Sequence, residues 1–190
     1  THDAATRRSG SFARLLKAIE NARKYPHFKL YINTVITRVN HQSLPEITAF
    51  CRDLGAQLQV LSNLTPEGSG EDNYQALALR LPEIQALIPT LVQAAGPMLL
   101  RFFGLPICTL GPHWKLSNDL YWNPRVTVEW VRHPDRISLE GIWSWDPQRR
   151  RLWPSVCGGC RYRGLCYGVF DRYLDEFGSE ELHPEAGSLI

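Results

Sequence analysis

The 190-residue sequence lacks the features that mark several large classes of protein. It has no apolar run long enough to cross a bilayer, and its first residues do not resemble a secretory signal, so we expect no membrane association. The formal net charge of +2 is too small to indicate nucleic-acid binding. No Ser-His-Asp arrangement and no phosphate-binding glycine loop is visible, which argues against a hydrolase or a nucleoside triphosphatase.

Methionine is also scarce. Met98 is the only methionine and lies inside a patterned region, whereas the chain begins with Thr1. We therefore expect that the complete translation product contains further residues upstream of Thr1.

The sequence does contain five cysteines. An odd number, without a secretory signal, argues against a disulfide scaffold and favours the reducing cytoplasm. Three of them follow a C-x2-C-x5-C pattern, in which two glycines between the first pair let the backbone curl toward the sulfur atoms. The spacing predicts a metal or iron-sulfur site with four ligands: Cys108, Cys157, Cys160 and Cys166.

Two cysteines lie near predicted helices and receive opposite interpretations. Cys51 falls on the apolar face of a helix, so we interpret it as a small buried residue without a ligand role. Helical spacing over residues 169–177 predicts a helix that starts at Cys166, where the positive end of the helix dipole would favour a thiolate.

Hydrophobic periodicity in the first half predicts helices that alternate with strands. Such an alternation indicates a parallel sheet with right-handed crossovers. The run at 28–37 is continuously rich in β-formers, which is typical of a strand buried on both faces. The predicted helices are 11–24, 43–55 and 74–95, the last interrupted at Pro82 or Pro89, and the predicted strands are 28–37, 57–62 and 98–103.

The pattern changes after Cys108. Residues 125–131 and 137–145 alternate and flank a turn, which predicts an antiparallel hairpin. Its tryptophans, Trp122, Trp130, Trp143 and Trp145, are interpreted as the core of a small domain rather than a substrate-stacking surface. The arginine run at 149–151 is interpreted as a solvated turn, and the histidines His113, His133 and His183 are given no role.

In this order the motifs resemble the second half of a radical S-adenosylmethionine (SAM) enzyme with a C-terminal auxiliary-cluster domain of the SPASM or twitch type. The resemblance implies an α/β fold: the second half of a partial (β/α)6 TIM-like barrel over residues 1–108, then a β-hairpin plus helix cysteine-rich domain over 109–190. It is carried by His2-Asp3, Gly10-Ser-Phe12, Asn33-Thr-Val-Ile-Thr37 with Asn40, Pro106-Ile-Cys108, the C-x2-C-x5-C segment, Tyr173, Gly178, Glu181-Leu and Pro184.

The resemblance also implies ligands and cofactors. The four late cysteines would hold one auxiliary [4Fe-4S] cluster, and Asn33 and Ser62 would contact SAM at the ends of barrel strands. The family's C-x3-C-x2-C motif, which holds the cluster that cleaves SAM, is absent from this sequence. A second [4Fe-4S] cluster would therefore belong to the complete enzyme, and this chain alone would be inactive.

The complete cytoplasmic enzyme would be reduced by flavodoxin or ferredoxin, would generate a 5'-deoxyadenosyl radical, and would modify a peptide or small-molecule substrate. Two alternatives remain open. The same cysteines could form a structural zinc site, since C-x2-C pairs are common in zinc modules. The chain could also be a non-catalytic partner protein that binds a peptide through its Trp-rich hairpin.

Overall fold

The computed structural model describes residues 2–121, 126–143 and 150–187. The chain divides into two compact units, Thr1–Phe103 and Gly104–Ile190. The first unit ends at Phe103 and the second begins at Gly104. The predicted domain boundary after residue 108 stays a prediction. Within the described ranges, no helix combines the length and the apolar character needed to cross a bilayer.

The first unit is built on a parallel sheet of three strands in the order β1-β2-β3. The predicted α/β architecture with a parallel sheet is confirmed, and the partial barrel stays a prediction. The strands are β1 (Tyr31–Val35), β2 (Leu58–Ser62) and β3 (Leu99–Phe103), and the helices are α1 (His2–Thr6), α2 (Ser11–Ala22), α3 (Leu44–Asp53), α4 (Ser69–Asp72), α5 (Tyr74–Leu77) and α6 (Leu81–Ala95), with a 3-10 turn at His41–Ser43.

The core of this unit lies between the sheet and the packed pair α3 and α6. Leu44, Leu61 and Ile84 are completely buried there, and removal of such apolar surface from water is the main force that holds the helices in place. Cys51, on α3, is only 4% exposed, so its prediction as a buried apolar residue is confirmed.

One detail of the first unit differs from the sequence prediction, and one agrees with it. Strand β1 is not buried on both faces, because its residues alternate and every second side chain, including Tyr31 at 60% exposure, faces outward. The predicted interruption of the helical stretch 74–95 near Pro82 is confirmed: α5 ends at Leu77, and α6 begins at Leu81 with Pro82 in its first turn, where an N–H group would have no helical partner in any case. Pro89 lies inside α6, which continues to Ala95.

The second unit consists of short elements joined by turns. The predicted hairpin is confirmed as β4 and β5, which pair antiparallel from Val126↔Trp143 to Arg132↔Ile137. In chain order the elements are 3-10 segments at Ile107–Leu116 and Asn118–Tyr121, β4 (Val126–Arg132), β5 (Ile137–Trp143), β6 (Arg151–Leu152), a 3-10 turn at Ser155–Gly159, β7 (Val169–Phe170) and α7 (Asp171–Phe177), with β6 antiparallel to β7.

The hairpin does not bury all of its tryptophans. Trp130 is 73% exposed, so the interpretation of this side chain as domain core is wrong. Its cross-strand partner Leu139 is 55% exposed, and Ile137 is 56% exposed. The predictions for Trp122 and Trp145 fall outside the described residues, and for Trp143 only the backbone is described.

Candidate metal centre

All four cysteines of the second unit line one pocket. Apart from the thiols, its wall is mainly apolar and aromatic, so a charged group placed there would be shielded from bulk water. The other lining residues are Pro106, Trp153, Tyr162, Arg163, Gly168, Val169, Leu182 and Pro184.

Short turns present the first three thiols to this pocket. Cys108 lies in the 3-10 segment Ile107–Leu116, after strand β3 has ended at Phe103. Cys157 lies in the 3-10 turn Ser155–Gly159, and its carbonyl accepts a 3.2 Å hydrogen bond from the N–H of Cys160. The C-x2-C pair is thus folded into a single turn, as its two glycines allow.

Cys166 is placed differently from the sequence prediction. Helix α7 begins at Asp171, so Cys166 does not stand at a helix N-terminus, and the dipole argument does not apply to it. Its sulfur instead accepts two backbone hydrogen bonds, from the N–H of Ile107 at 3.4 Å and from the N–H of Gly168 at 3.3 Å. These N–H groups supply the local positive charge that the helix was expected to supply.

A glycine is required next to Cys166. Gly168 has a φ of +83°, and a Cβ atom at this position would lie 2.1 Å from the carbonyl oxygen of Leu152. Any side chain would therefore clash with backbone and strain the turn that brings the N–H of Gly168 to the sulfur of Cys166.

Burial raises the pKa of three of the thiols. The pKa of Cys108 rises to about 11, chiefly because burial disfavours the thiolate, while a hydrogen bond from the backbone N–H of His183 opposes the rise. Burial likewise raises the pKa of Cys157 and of Cys166. Since only thiolates ligate metals, occupation of the pocket would release protons.

Aromatic side chains pack around Cys166 at the wall of the pocket. Tyr162, only 1% exposed, packs with Ile107 and Cys166 in a small buried cluster, and its ring lies 5.5 Å from that of Trp114. The indole N–H of Trp153 donates a 2.8 Å hydrogen bond to the carbonyl oxygen of Cys166. The loop that carries this cysteine is thereby held at both its backbone and its side chain.

A buried ion pair that was not predicted from the sequence lies beside this site. Arg151 donates to Asp119 through two hydrogen bonds of 3.0 and 2.8 Å, and neither side chain is exposed to solvent. The interpretation of the arginine run as a solvated turn is therefore wrong for Arg151. The partners are 32 positions apart, and no local pattern in the sequence links them.

The predicted SAM-binding residues are brought together in the first unit. Ser62 is the last residue of β2, as expected, but Asn33 is the third of the five residues of the adjacent parallel strand β1 and does not stand at its end. The hydroxyl of Ser62 donates a 2.6 Å hydrogen bond to the carboxamide oxygen of Asn33. Asn33 is exposed and Ser62 is buried, so the amide of Asn33 is the part of this pair that a ligand could reach.

Within the described ranges, no group of three or more His, Cys, Asp or Glu side chains is arranged to hold a metal ion. A comparison of the chain with protein-family models, with curated proteins and with solved structures finds no match.

Proposed function

We propose that the second unit holds a [4Fe-4S] cluster ligated by Cys108, Cys157, Cys160 and Cys166, and that it serves as the auxiliary centre of a radical SAM enzyme. The observation that carries this proposal is that all four thiols line one mainly apolar pocket. Four cysteine thiolates are the usual ligand set of such a cluster, which supplies one-electron redox chemistry when bound.

The backbone around the thiols supports the same assignment. Cys166 accepts two N–H hydrogen bonds at its sulfur, and the backbone N–H of His183 is directed at Cys108. Hydrogen bonds to cysteine sulfur atoms stabilise the negative charge of a thiolate cluster and tune its reduction potential.

Zinc is the principal alternative occupant. A single zinc ion needs all of its thiolates at about 2.3 Å from one atom. In a [4Fe-4S] cluster each thiolate binds a different iron atom, so the sulfur atoms stand farther apart. The four thiols that line the pocket are the ligand types of both occupants, so metal analysis is needed to distinguish them.

Anaerobic reconstitution tests the cluster directly. The chain would be incubated with ferrous iron, sulfide and a thiol reductant, desalted, and analysed for iron, acid-labile sulfide and zinc. We expect iron and sulfide in the ratio of a [4Fe-4S] cluster. Stoichiometric zinc in the protein as purified, with no iron uptake after zinc removal, would overturn the iron-sulfur proposal and leave a structural zinc site.

Two cysteine variants test whether Cys160 is a ligand of the cluster. Cys160→Ala removes one ligand and should lose the cluster and increase proteolysis within residues 105–180. Cys51→Ala is the matched control, because Cys51 is buried in α3 of the first unit and should not affect iron content. Equal iron content and equal protease resistance in Cys160→Ala and wild type would exclude Cys160 as a ligand.

For the first unit we propose a contribution to SAM binding through Asn33 and Ser62. The carboxyl ends of parallel strands are where α/β folds bind their ligands, and Ser62 ends β2. With its oxygen engaged by Ser62, the amide of Asn33 can donate to a hydroxyl or carboxylate of SAM. The complete cytoplasmic enzyme would generate a 5'-deoxyadenosyl radical, with flavodoxin or ferredoxin as reductant and a peptide or small molecule as substrate.

The exposed apolar side chains of the hairpin favour a second candidate, a peptide-binding partner protein without catalysis. Trp130 and Leu139 form an exposed cross-strand pair, and an extended peptide can add to the edge of such a hairpin. The reading frame upstream of Thr1 distinguishes the two candidates. A strand followed by C-x3-C-x2-C would support the enzyme, whereas a nearby start codon without that motif would support the partner protein.

A further inference from the structure

The guanidinium group of Arg151 forms hydrogen bonds to three separate segments of the second unit. Besides its two hydrogen bonds to Asp119, Arg151 donates to the carbonyl of Gly168 at 3.0 and 3.3 Å and to the carbonyl of Leu105 at 3.4 Å. Every hydrogen-bond acceptor around it belongs to a different stretch of the chain, so loss of Arg151 would release all three.

Two of these segments also supply the N–H groups that reach the sulfur of Cys166. The donors are Ile107, two residues after Leu105, and Gly168 itself. The segments that Arg151 holds by their carbonyl oxygens are therefore the ones that present hydrogen bonds to Cys166. Arg151 itself does not hydrogen-bond to Cys166. It positions the two backbone segments whose N–H groups donate to the sulfur of Cys166.

The charges of the pair act on Cys166 in opposite directions. Both side chains are fully buried, where electrostatic interactions are weakly screened. The guanidinium of Arg151 donates to the carbonyl of Gly168, whose N–H group donates to the sulfur of Cys166, so the positive charge lies close to this sulfur, and the carboxylate of Asp119 lies against the same guanidinium. Arg151 thus favours negative charge at the sulfur, and Asp119 opposes it.

We propose that Arg151 and Asp119 are positioning residues for Cys166 that set the reduction potential of the cluster, an inference that rests on the proposed iron-sulfur centre. Reduction adds one electron and makes or breaks no bond. N–H hydrogen bonds to a ligand sulfur and a nearby positive charge both stabilise the extra negative charge, and so they raise the potential.

The test is a redox titration of the reconstituted chain with dithionite as the electron donor, followed by electron paramagnetic resonance. Arg151→Met removes the positive charge and frees both donor segments, so its midpoint potential should shift to more negative values. Asp119→Asn leaves the guanidinium uncompensated, so its potential should shift to more positive values. A merely structural ion pair would not give shifts of opposite sign.

Removal of one partner leaves a buried charge unpaired, which can prevent folding. A double variant that removes both charges is therefore needed as well. The double variant Asp119→Leu/Arg151→Met replaces the pair by apolar side chains, a change that buried ion pairs often tolerate. It should show a negative shift smaller than that of Arg151→Met, because the opposite effect of Asp119 is removed as well.

Arg150→Met is the matched control. Arg150 pairs with Asp171 at 3.1 Å, but this pair is about one-third exposed and therefore more strongly screened. Its loss should leave the potential at the wild-type value.

The outcomes separate the two proposals. If the wild-type chain takes up no iron, the proposed function and this inference both fail. If the wild type binds a cluster but the variants keep the wild-type potential, only this inference fails. It also fails if Arg150→Met binds a cluster while Arg151→Met, Asp119→Asn and the double variant do not, because the pair would then be only a structural link.

Discussion

The hydroxyl of Ser62 donates a 2.6 Å hydrogen bond to the carboxamide oxygen of Asn33 across two adjacent parallel strands. Ser62 is 8% exposed and sits on the buried side of this pair, whereas Asn33 is exposed. Ser62 therefore fixes the orientation of the Asn33 amide, and in the proposed SAM site it would act on the ligand through Asn33 rather than by direct contact.

The first prediction concerns the strength of this hydrogen bond. Ser62→Ala should lower the free energy of unfolding by about 1 kcal/mol, the usual net value of one such bond. A double-mutant cycle with Asn33→Ala, measured by urea denaturation, should give a coupling energy of about 0.5 to 1.5 kcal/mol. Strictly additive effects of the two substitutions would show that the bond does not contribute to stability.

The second prediction concerns the turn after Cys166. Gly168→Ala should destabilise the second unit by more than about 1 kcal/mol, because alanine disfavours a positive φ and its Cβ would meet the carbonyl oxygen of Leu152. Gly164→Ala is the control, since a Cβ there has no neighbouring atom within 4 Å. Limited proteolysis of both variants, followed by mass spectrometry, would show whether cleavage in 150–187 increases only in Gly168→Ala.

The elements that the sequence predicts well are those defined by local patterns. Periodicity located α2, α3, the parallel strands and the hairpin within a few residues, and the C-x2-C-x5-C spacing selected Cys157, Cys160 and Cys166, which line the pocket. Each of these signals lies within a short stretch of chain, where side-chain alternation reflects which face is buried.

The features that the sequence could not supply depend on long-range contacts. The N–H donor of Ile107 lies 59 positions from Cys166. Periodicity places side chains on one face of an element but does not reveal which distant backbone approaches a sulfur atom. The same limit explains Trp130, whose place in an alternating strand did not show that this face of the hairpin is exposed.

The third prediction concerns the carboxylate of Asp3 at the start of α2. It accepts hydrogen bonds from the N–H of Phe12, the hydroxyl of Ser11 and the N–H of Gly10, and these lower its pKa from 3.8 to about 2. A pKa that is lower in the folded chain contributes stability above about pH 4, and this contribution is lost as the pH falls toward 2.

Replacement of Asp3 by Asn should therefore remove part of the acid sensitivity. We expect the free energy of unfolding to fall more steeply for the wild type than for Asp3→Asn when the pH decreases from 4 to 2. Denaturant titrations followed by circular dichroism at several pH values would measure the difference. Parallel curves for the two proteins would mean that Asp3 does not cap α2 in solution.

The fourth prediction concerns Cys108 in the metal-free, reduced chain. Burial raises its pKa from 9.0 to about 11, so the folded chain binds the thiol proton more tightly than the unfolded chain. The corresponding stability is fully present below pH 9 and is lost as the pH rises toward 11. The effect should not exceed about 2 kcal/mol, because the thiol is partly exposed. Urea denaturation at pH 8 and pH 10.5 should show a smaller loss of stability for Cys108→Ala than for the wild type. An identical loss in both proteins would show that folding does not raise the pKa of Cys108.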